Sequence, residues 1–350
     1  MPAGAASRVR TPRVRFAPHL VMFAAMLIWS ANATVVKLGL EHVRPASFFG
    51  ARFLMGAVVS WIIALAVHRR RALTPPRARV PLVAIIGIGA NQVFFAFGLN
   101  LTTAVDASLI QGLTPLFAGA MVMLLARGRL GNKEITALLL GLAGVSIVVL
   151  ATPAHGGGSV TGDLINLGAP LSYAFFLVFT ASDAARLPAT RITPWALTGG
   201  LVILLPLGLV DAVRAPEDWL ASLPELFFAG LLSTTFAYTA GLWALPRLGA
   251  TAAAIYSYLQ PPLGAAIGAL FLGEPYVPIQ LAGTAVILLA AYLGGSQAAP
   301  VIAPATKGAA PVGEPISPLS TGDDSLAESS GQTGASVSTT CATREAESSS

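Results

Sequence analysis

The stretch from residue 257 to 275, SYLQPPLGAAIGALFLGEP, is apolar enough to lie in a bilayer, yet it sets Gln260, Pro261 and Pro262 side by side. Backbone in hydrocarbon must satisfy its own polar groups. Pro261 and Pro262 lack the N–H groups that a continuous helix would direct at the carbonyls of Ser257 and Tyr258. The run therefore predicts a helix broken at membrane depth, with free acceptors beside the Gln260 amide. Such breaks are tolerated where protein, water or a ligand completes them.

The rest of the chain supplies the setting. Its 350 residues are 55% hydrophobic and 11% charged, with a mean hydropathy of +0.72, whereas soluble domains carry roughly 25% charged residues. The expected class is an all-α integral membrane protein. Runs of about 17 to 25 apolar residues, the length that crosses a hydrocarbon core, lie near 20–38, 46–67, 80–99, 104–125, 135–151, 163–182, 195–213, 223–243, 250–272 and 277–295. These ten predicted transmembrane helices fall between a basic N-terminus, residues 1–19, and a Ser/Thr/Pro-rich tail, residues 296–350, whose composition cannot bury a core and is expected to be disordered. The first run, with Arg8 to Arg15 before it and "SANA" after it, also has the form of a signal peptide. The single cysteine, Cys341, lies in the tail and permits no internal disulfide.

Charge sets the expected orientation. With the N-terminus inside, the inner segments hold fifteen Lys and Arg residues, in the clusters 8–15, 69–79 and 127–133 and at Arg186, Arg191 and Arg247, while the outer segments hold Lys37, Arg44 and Arg214. The positive-inside rule then places both termini in the cytoplasm and, in a bacterium, the protein in the inner membrane. The pI of about 9.7 is accounted for by these loops, so no nucleic-acid partner is expected.

Ten spans divide into five plus five, residues 20–151 and 163–295, and an odd number per half forces the halves into inverted orientation. Residues 99–124 laid on 245–270 superpose Pro115 on Pro261, and Pro115 withdraws an N–H from the carbonyl of Gln111 as Pro261 does from that of Ser257. The loop after the fourth span carries Arg127, Arg129 and Lys133, and its counterpart carries Glu274.

Intramembrane polar groups mark pathways or packing contacts. Those near mid-span concentrate on spans one, three, four, six, eight and nine, predicting a polar cavity with the other four spans outside. The candidate substrate-binding residues are Trp29, Asn32, Asn91, Gln92, Gln111, Tyr173, Tyr238, Tyr256, Ser257 and Gln260, with helix breaks at Pro115, Pro261 and Pro262. Each has a structural alternative: prolines kink membrane helices, amides glue them together, and "GAAIG", residues 264–268, is a small-residue packing motif that could form a homodimer contact. Trp29 and Trp243 could be interface anchors or core aromatics, and Trp243, near a helix end, reads as having a structural role. Arg52 in the second span could meet an anionic substrate, but is expected to snorkel to the outer face.

An embedded enzyme would need a convergent nucleophile, acid/base pair or metal cluster; the histidines lie at span ends or in loops, so no enzyme activity, cofactor or metal is expected. Asp106 is the candidate coupling residue, against a plain helix N-terminal acid. Amides, hydroxyls and aromatics without a fixed charge suit a small amphipathic metabolite moved by alternating access. A nucleotide-sugar or organophosphate carrier is the alternative within that class, distinguished by whether Lys37 or Arg52 reaches the cavity; a membrane sensor is the alternative outside it.

Three stretches carry a family resemblance: "IWSANATVVKLGLEHVRPASFFGARFLMGA" from Ile28, "GDLINLGAPLSYAFFLVF" from Gly162, and "LPRLGATAAAIYSYLQPPLGAAIGALFLGEP" from Leu245. Over roughly residues 20 to 295 the chain resembles EamA-type members of the drug/metabolite transporter superfamily. The resemblance implies a ten-helix inverted-repeat carrier moving a small metabolite, often outward, through a central cavity, and points to Trp29, Asn32, Pro115, Pro261 and Glu274. "ARGRLGN" departs from it where a second glutamate is usual, and Pro170 interrupts the sixth span, withdrawing an N–H from the carbonyl of Asn166.

Overall fold

A computed structural model describes residues 16–76, 79–125, 132–151, 158–214, 217–248 and 256–295. The cluster Arg8 to Arg15, Arg77, Arg127, Arg129, the start of the expected ninth span and the tail with Cys341 lie outside the described residues. Among the described residues all regular structure is helical. Seven helices are long and apolar enough to cross a membrane, and three shorter apolar helices accompany them. The chain is thus a multi-pass integral membrane protein.

The helices are α1 (Phe16–Gly39), α2 (Pro45–His68), α3 (Arg79–Leu101), α4 (Ala104–Gln111 continued by Thr114–Leu125) and α5 (Asn132–Ala151). The remainder are α6 (Val160–Ala184), α7 (Ala189–Ala212), α8 (Leu223–Leu248), α9 (Gln260–Leu272) and α10 (Pro278–Gly295). Their packing repeats itself. α2 lies along α7, α5 along α10, and α4 crosses α9; α1 packs on α8 and α9 as α6 packs on α3 and α4, and α2 meets α8 as α7 meets α3. Exchanging each helix with the one five places on maps these neighbours onto themselves.

Glycine permits the closest of these approaches. A methyl on Gly144 of α5 would stand 3.0 Å from the carbonyl oxygen of Gly283 on α10, and one on Gly208 of α7 would stand 2.8 Å from that of Ala46 on α2. Such small-residue crossings replace the hydrophobic drive that lipid removes. The glycines of "GAAIG" belong to this set: Gly264 and Gly268 are buried, facing Ser108 and Val105 of α4. Those two glycines are spent on internal packing.

Two departures from simple helix were not legible in the sequence. α3 passes through a π-helical segment at Ile85–Ala90, and α8 through a longer one at Phe228–Ala237. They occupy the third helix of each half, and π turns shift the helix face that follows them. The shift falls where Asn91 and Gln92, and Tyr238, emerge.

Candidate functional site

A cavity of about 240 Å³ lies among α1, α2, α3, α4, α6, α8 and α9. One wall is aromatic. The Trp29 indole donates to the Ser233 carbonyl at 3.1 Å, and its ring meets Tyr238 edge-on, centroids 5.5 Å apart; Tyr238 in turn meets Tyr173 edge-on at 6.1 Å. The Ser233 hydroxyl donates to Asn32 Oδ1 at 2.7 Å. Indole, hydroxyl and amide therefore tie α1 to α8.

The amide pair on α3 is fixed by α6. Asn91 Nδ2 donates to the Ala169 carbonyl at 2.8 Å, which leaves Asn91 Oδ1 to accept from Gln92 Nε2 at 2.5 Å. The same Nε2 lies 3.5 Å from the Tyr238 hydroxyl. Gln92 lines the cavity, and its buried Oε1 has no hydrogen-bond partner.

The two broken helices meet at the opposite wall. α4 is interrupted at Gly112 and Leu113, and a methyl on Gly112 would stand 2.8 Å from Pro261 Cγ of α9. Gln111, Pro115, Ser257, Gln260 and Pro261 all line the cavity. The breaks differ in detail from expectation. Pro261 and Pro262 occupy the first turn of α9, where a missing N–H costs nothing, and the interruption falls one step earlier at Tyr258 and Leu259. The Gln111 carbonyl is not open either, because the Thr114 hydroxyl donates to it at 2.9 Å.

Of the predicted site residues, Trp29, Asn32, Asn91, Gln92, Gln111, Tyr173, Tyr238, Ser257 and Gln260 are brought together around one space. Tyr256 and Pro262 are not among its lining. Tyr256 instead pairs its hydroxyl with His19 Nδ1 at 3.0 Å, beside Met22 at the N-terminal end of α1. Asp106 is also elsewhere: it is 1% exposed and accepts from Gln280 Nε2 at 2.7 Å, between α4 and α10. A carboxylate so placed packs two helices and does not face the cavity.

Arg52 corrects the sequence reading. It does not snorkel outward; it is 2% exposed and lines the cavity, so α2 contributes to the site as well. Its guanidinium lies 4.8 Å from the centroid of Phe49 and 5.7 Å from that of Phe53, and Thr234 of α8 covers its head. Those groups close the route along which a flexible side chain would reach the interface. A lone arginine within the apolar run 46–67 was the only signal available, and it does not say which face of α2 it occupies.

Lys37, the other cation weighed at the sequence level, is used differently. It pairs with Glu274 at 3.0 Å and donates to the Thr102 carbonyl at 2.5 Å. Glu274 follows Gly273, whose φ of 65° ends α9 in the left-handed region, and its two oxygens accept from the N–H groups of Ala104 and Val105 at 3.0 and 2.9 Å. The acid thereby caps the N-terminus of α4, where a negative charge is favoured. No His, Cys, Asp and Glu cluster suited to a metal occurs among the described residues.

A helical membrane protein with a cavity between two matched sets of helices is the class this architecture defines. A family model describing the EamA-like transporter family matches residues 17–150 and again 160–294, and the chain belongs to that family. It is similar to a protein of Salmonella typhimurium named a probable amino-acid metabolite efflux pump, with 25% identity covering 77% of this chain and 91% of the other. It is also similar to one of Streptantibioticus cattleyicolor named a probable terminal-alkyne amino-acid exporter, with 25% identity covering 74% and 87%. A solved crystal structure shares the fold with a TM-score of 0.55 at 22% identity, covering 80% of this chain and 96% of that one.

Proposed function

We propose that this protein is a secondary transporter that exports amino acids or related small amphipathic compounds by alternating access. In this reading ten spans form two inverted five-helix repeats, with both termini in the cytoplasm and the protein in a bacterial inner membrane. The observation that carries it is the cavity at the junction of the broken helices α4 and α9, lined from both halves. Support also comes from the exchange of neighbours between the halves and from the names of the two bacterial relatives. Drug-sized ligands occupy pockets of about 300–1,000 Å³. Arg52 does reach the cavity, as a phosphate carrier would require, but at about 240 Å³ this cavity favours a small metabolite over a nucleotide sugar.

The test is untargeted mass spectrometry of medium from cells overproducing the protein, against cells making Gln260→Ala at equal abundance. A compound enriched outside with the native protein, and at least about tenfold less with the variant, is the expected result, since polar groups facing a membrane cavity are functional by default. Identical media from correctly inserted proteins would count against export.

A further inference from the structure

Two residues that line the cavity each bury an orphaned polar atom, and the two atoms are of opposite kind. Arg52 presents five N–H donors. Nε and Nη2 both reach a single acceptor, Thr234 Oγ1, at 3.2 and 3.1 Å, and Nη1 has no hydrogen-bond partner. No carboxylate among the described residues pairs with it. The faces of Phe49 and Phe53 offer some attraction to the cation, but a charge removed from water without an ion partner remains costly. A fixed cation with an unpaired edge, on a residue that lines a cavity, is suited to receive an anionic group, and the planar fork suits a carboxylate.

The second atom is Gln92 Oε1. The chain of donors from Asn91 Nδ2 to Ala169 and from Gln92 Nε2 to Asn91 fixes which way both amides face, so the orphan at Gln92 is an acceptor. Tyr238 links it to the wall that carries Arg52, because its hydroxyl lies 3.5 Å from Gln92 Nε2 and it follows Thr234 by one helical turn. Much of the remaining lining is apolar: Met22, Met26, Phe95, Leu177, Leu242 and Leu245.

We infer that the cavity recognises the zwitterion of an α-amino acid with an uncharged, apolar side chain: Arg52 Nη1 binds its carboxylate and Gln92 Oε1 accepts from its ammonium group. The inference rests on the transport reading and gives its substrate a chemistry. It also reverses the sequence-level expectation of a site without fixed charge. A single arginine matches a single carboxylate, whereas a phosphate dianion would leave one charge uncompensated.

The experiment has two stages. Full-length protein in liposomes loaded with an equimolar mixture of the twenty common amino acids is assayed for efflux by mass spectrometry. The amino acid that moves fastest is then titrated against purified protein beside its carboxamide, its decarboxylated amine and its N-acetyl derivative. Truncating one partner of a buried charge pair costs enough to weaken binding about thirtyfold or more, and that loss is expected for the carboxamide and the decarboxylated amine; the N-acetyl derivative, which loses a hydrogen bond from a charged group, is expected to bind about tenfold more weakly or worse. Arg52→Gln is expected to weaken the free acid as much as loss of the carboxylate does while leaving the carboxamide unchanged, a pattern that general damage to the fold would not produce. The comparison among analogues uses native protein and stands even if the variant fails to fold. Efflux with carboxamide and acid bound equally would overturn the role of Arg52 and leave transport intact. Competition by phosphoserine or inorganic phosphate in preference to the apolar amino acids would assign Arg52 to a phosphate group and overturn the carboxylate. Absence of efflux for all twenty would overturn the amino-acid transport reading, and this inference with it.

Discussion

Arg52 and Glu274 are both charges in an apolar chain, and their surroundings set them different tasks. Glu274 is saturated by Lys37 and two backbone N–H groups, while Arg52 shares one hydroxyl and keeps an edge free. The first arrangement is structural. Glu274→Gln should remove the ion pair and weaken the cap of α4, at a cost of about 1–3 kcal/mol for hydrogen bonds to a charged group, read as a lower unfolding midpoint in detergent. An unchanged midpoint would mean that the contact is loose. Polar residues of the cavity were largely legible one by one, because an amide such as Gln260 or Gln111 has few reasons to lie within an apolar run. Tyr256 and Pro262 were not, since a residue type does not reveal which side of its helix it occupies. Tyr256 turns to His19 instead.

At the scale of the element, apolar length and proline placement were informative, and local winding was not. Pro261 marked the region of the break in α9, but the interruption itself lies at Tyr258 and Leu259, because proline is accommodated in the first turn that follows. The π segments of α3 and α8 left no periodic trace, since both lie in stretches apolar or small on nearly every face. Contact between elements is set by missing side chains. Gly144→Val should force α5 away from Gly283 and Ile287 of α10, whose backbone atoms would each lie 3.0 Å from the first added carbon. Overpacking of this kind costs typically about 1–3 kcal/mol. The expected readout is a lower yield of monodisperse protein in detergent than for Gly144→Ala; equal yields would mean that the crossing yields easily.

For the whole molecule, the two ends of α1 carry two different long-range contacts. His19 meets Tyr256 near the helix start, and Lys37 meets Glu274 near its end, roughly 27 Å away at 1.5 Å per residue. The cavity lining on α1 runs between them, from Met22 to Ala33. Alternating access, as proposed above, would require each of these contacts to part in turn. With the native Cys341 replaced by serine, Lys37→Cys with Glu274→Cys, bridged by a bifunctional thiol reagent, should abolish export reversibly. His19→Cys with Tyr256→Cys, bridged in the same way, should do likewise. Full activity with either bridge in place would show that the bridged residues need not separate during the cycle.

The sequence by itself determined the membrane class, the candidate cavity helices apart from α2, and the family resemblance, because apolar length, charge position and proline are properties of single segments. It also determined which amides stood at mid-span. Only the tertiary structure decided that Arg52 turns inward under Thr234, that Asp106 is occupied by Gln280, and that Glu274 caps a helix 170 residues away. Each of these depends on which faces of distant helices meet. In a chain whose helices are apolar on every side, that choice is made by glycine crossings and a few long-range hydrogen bonds, and no single segment records it.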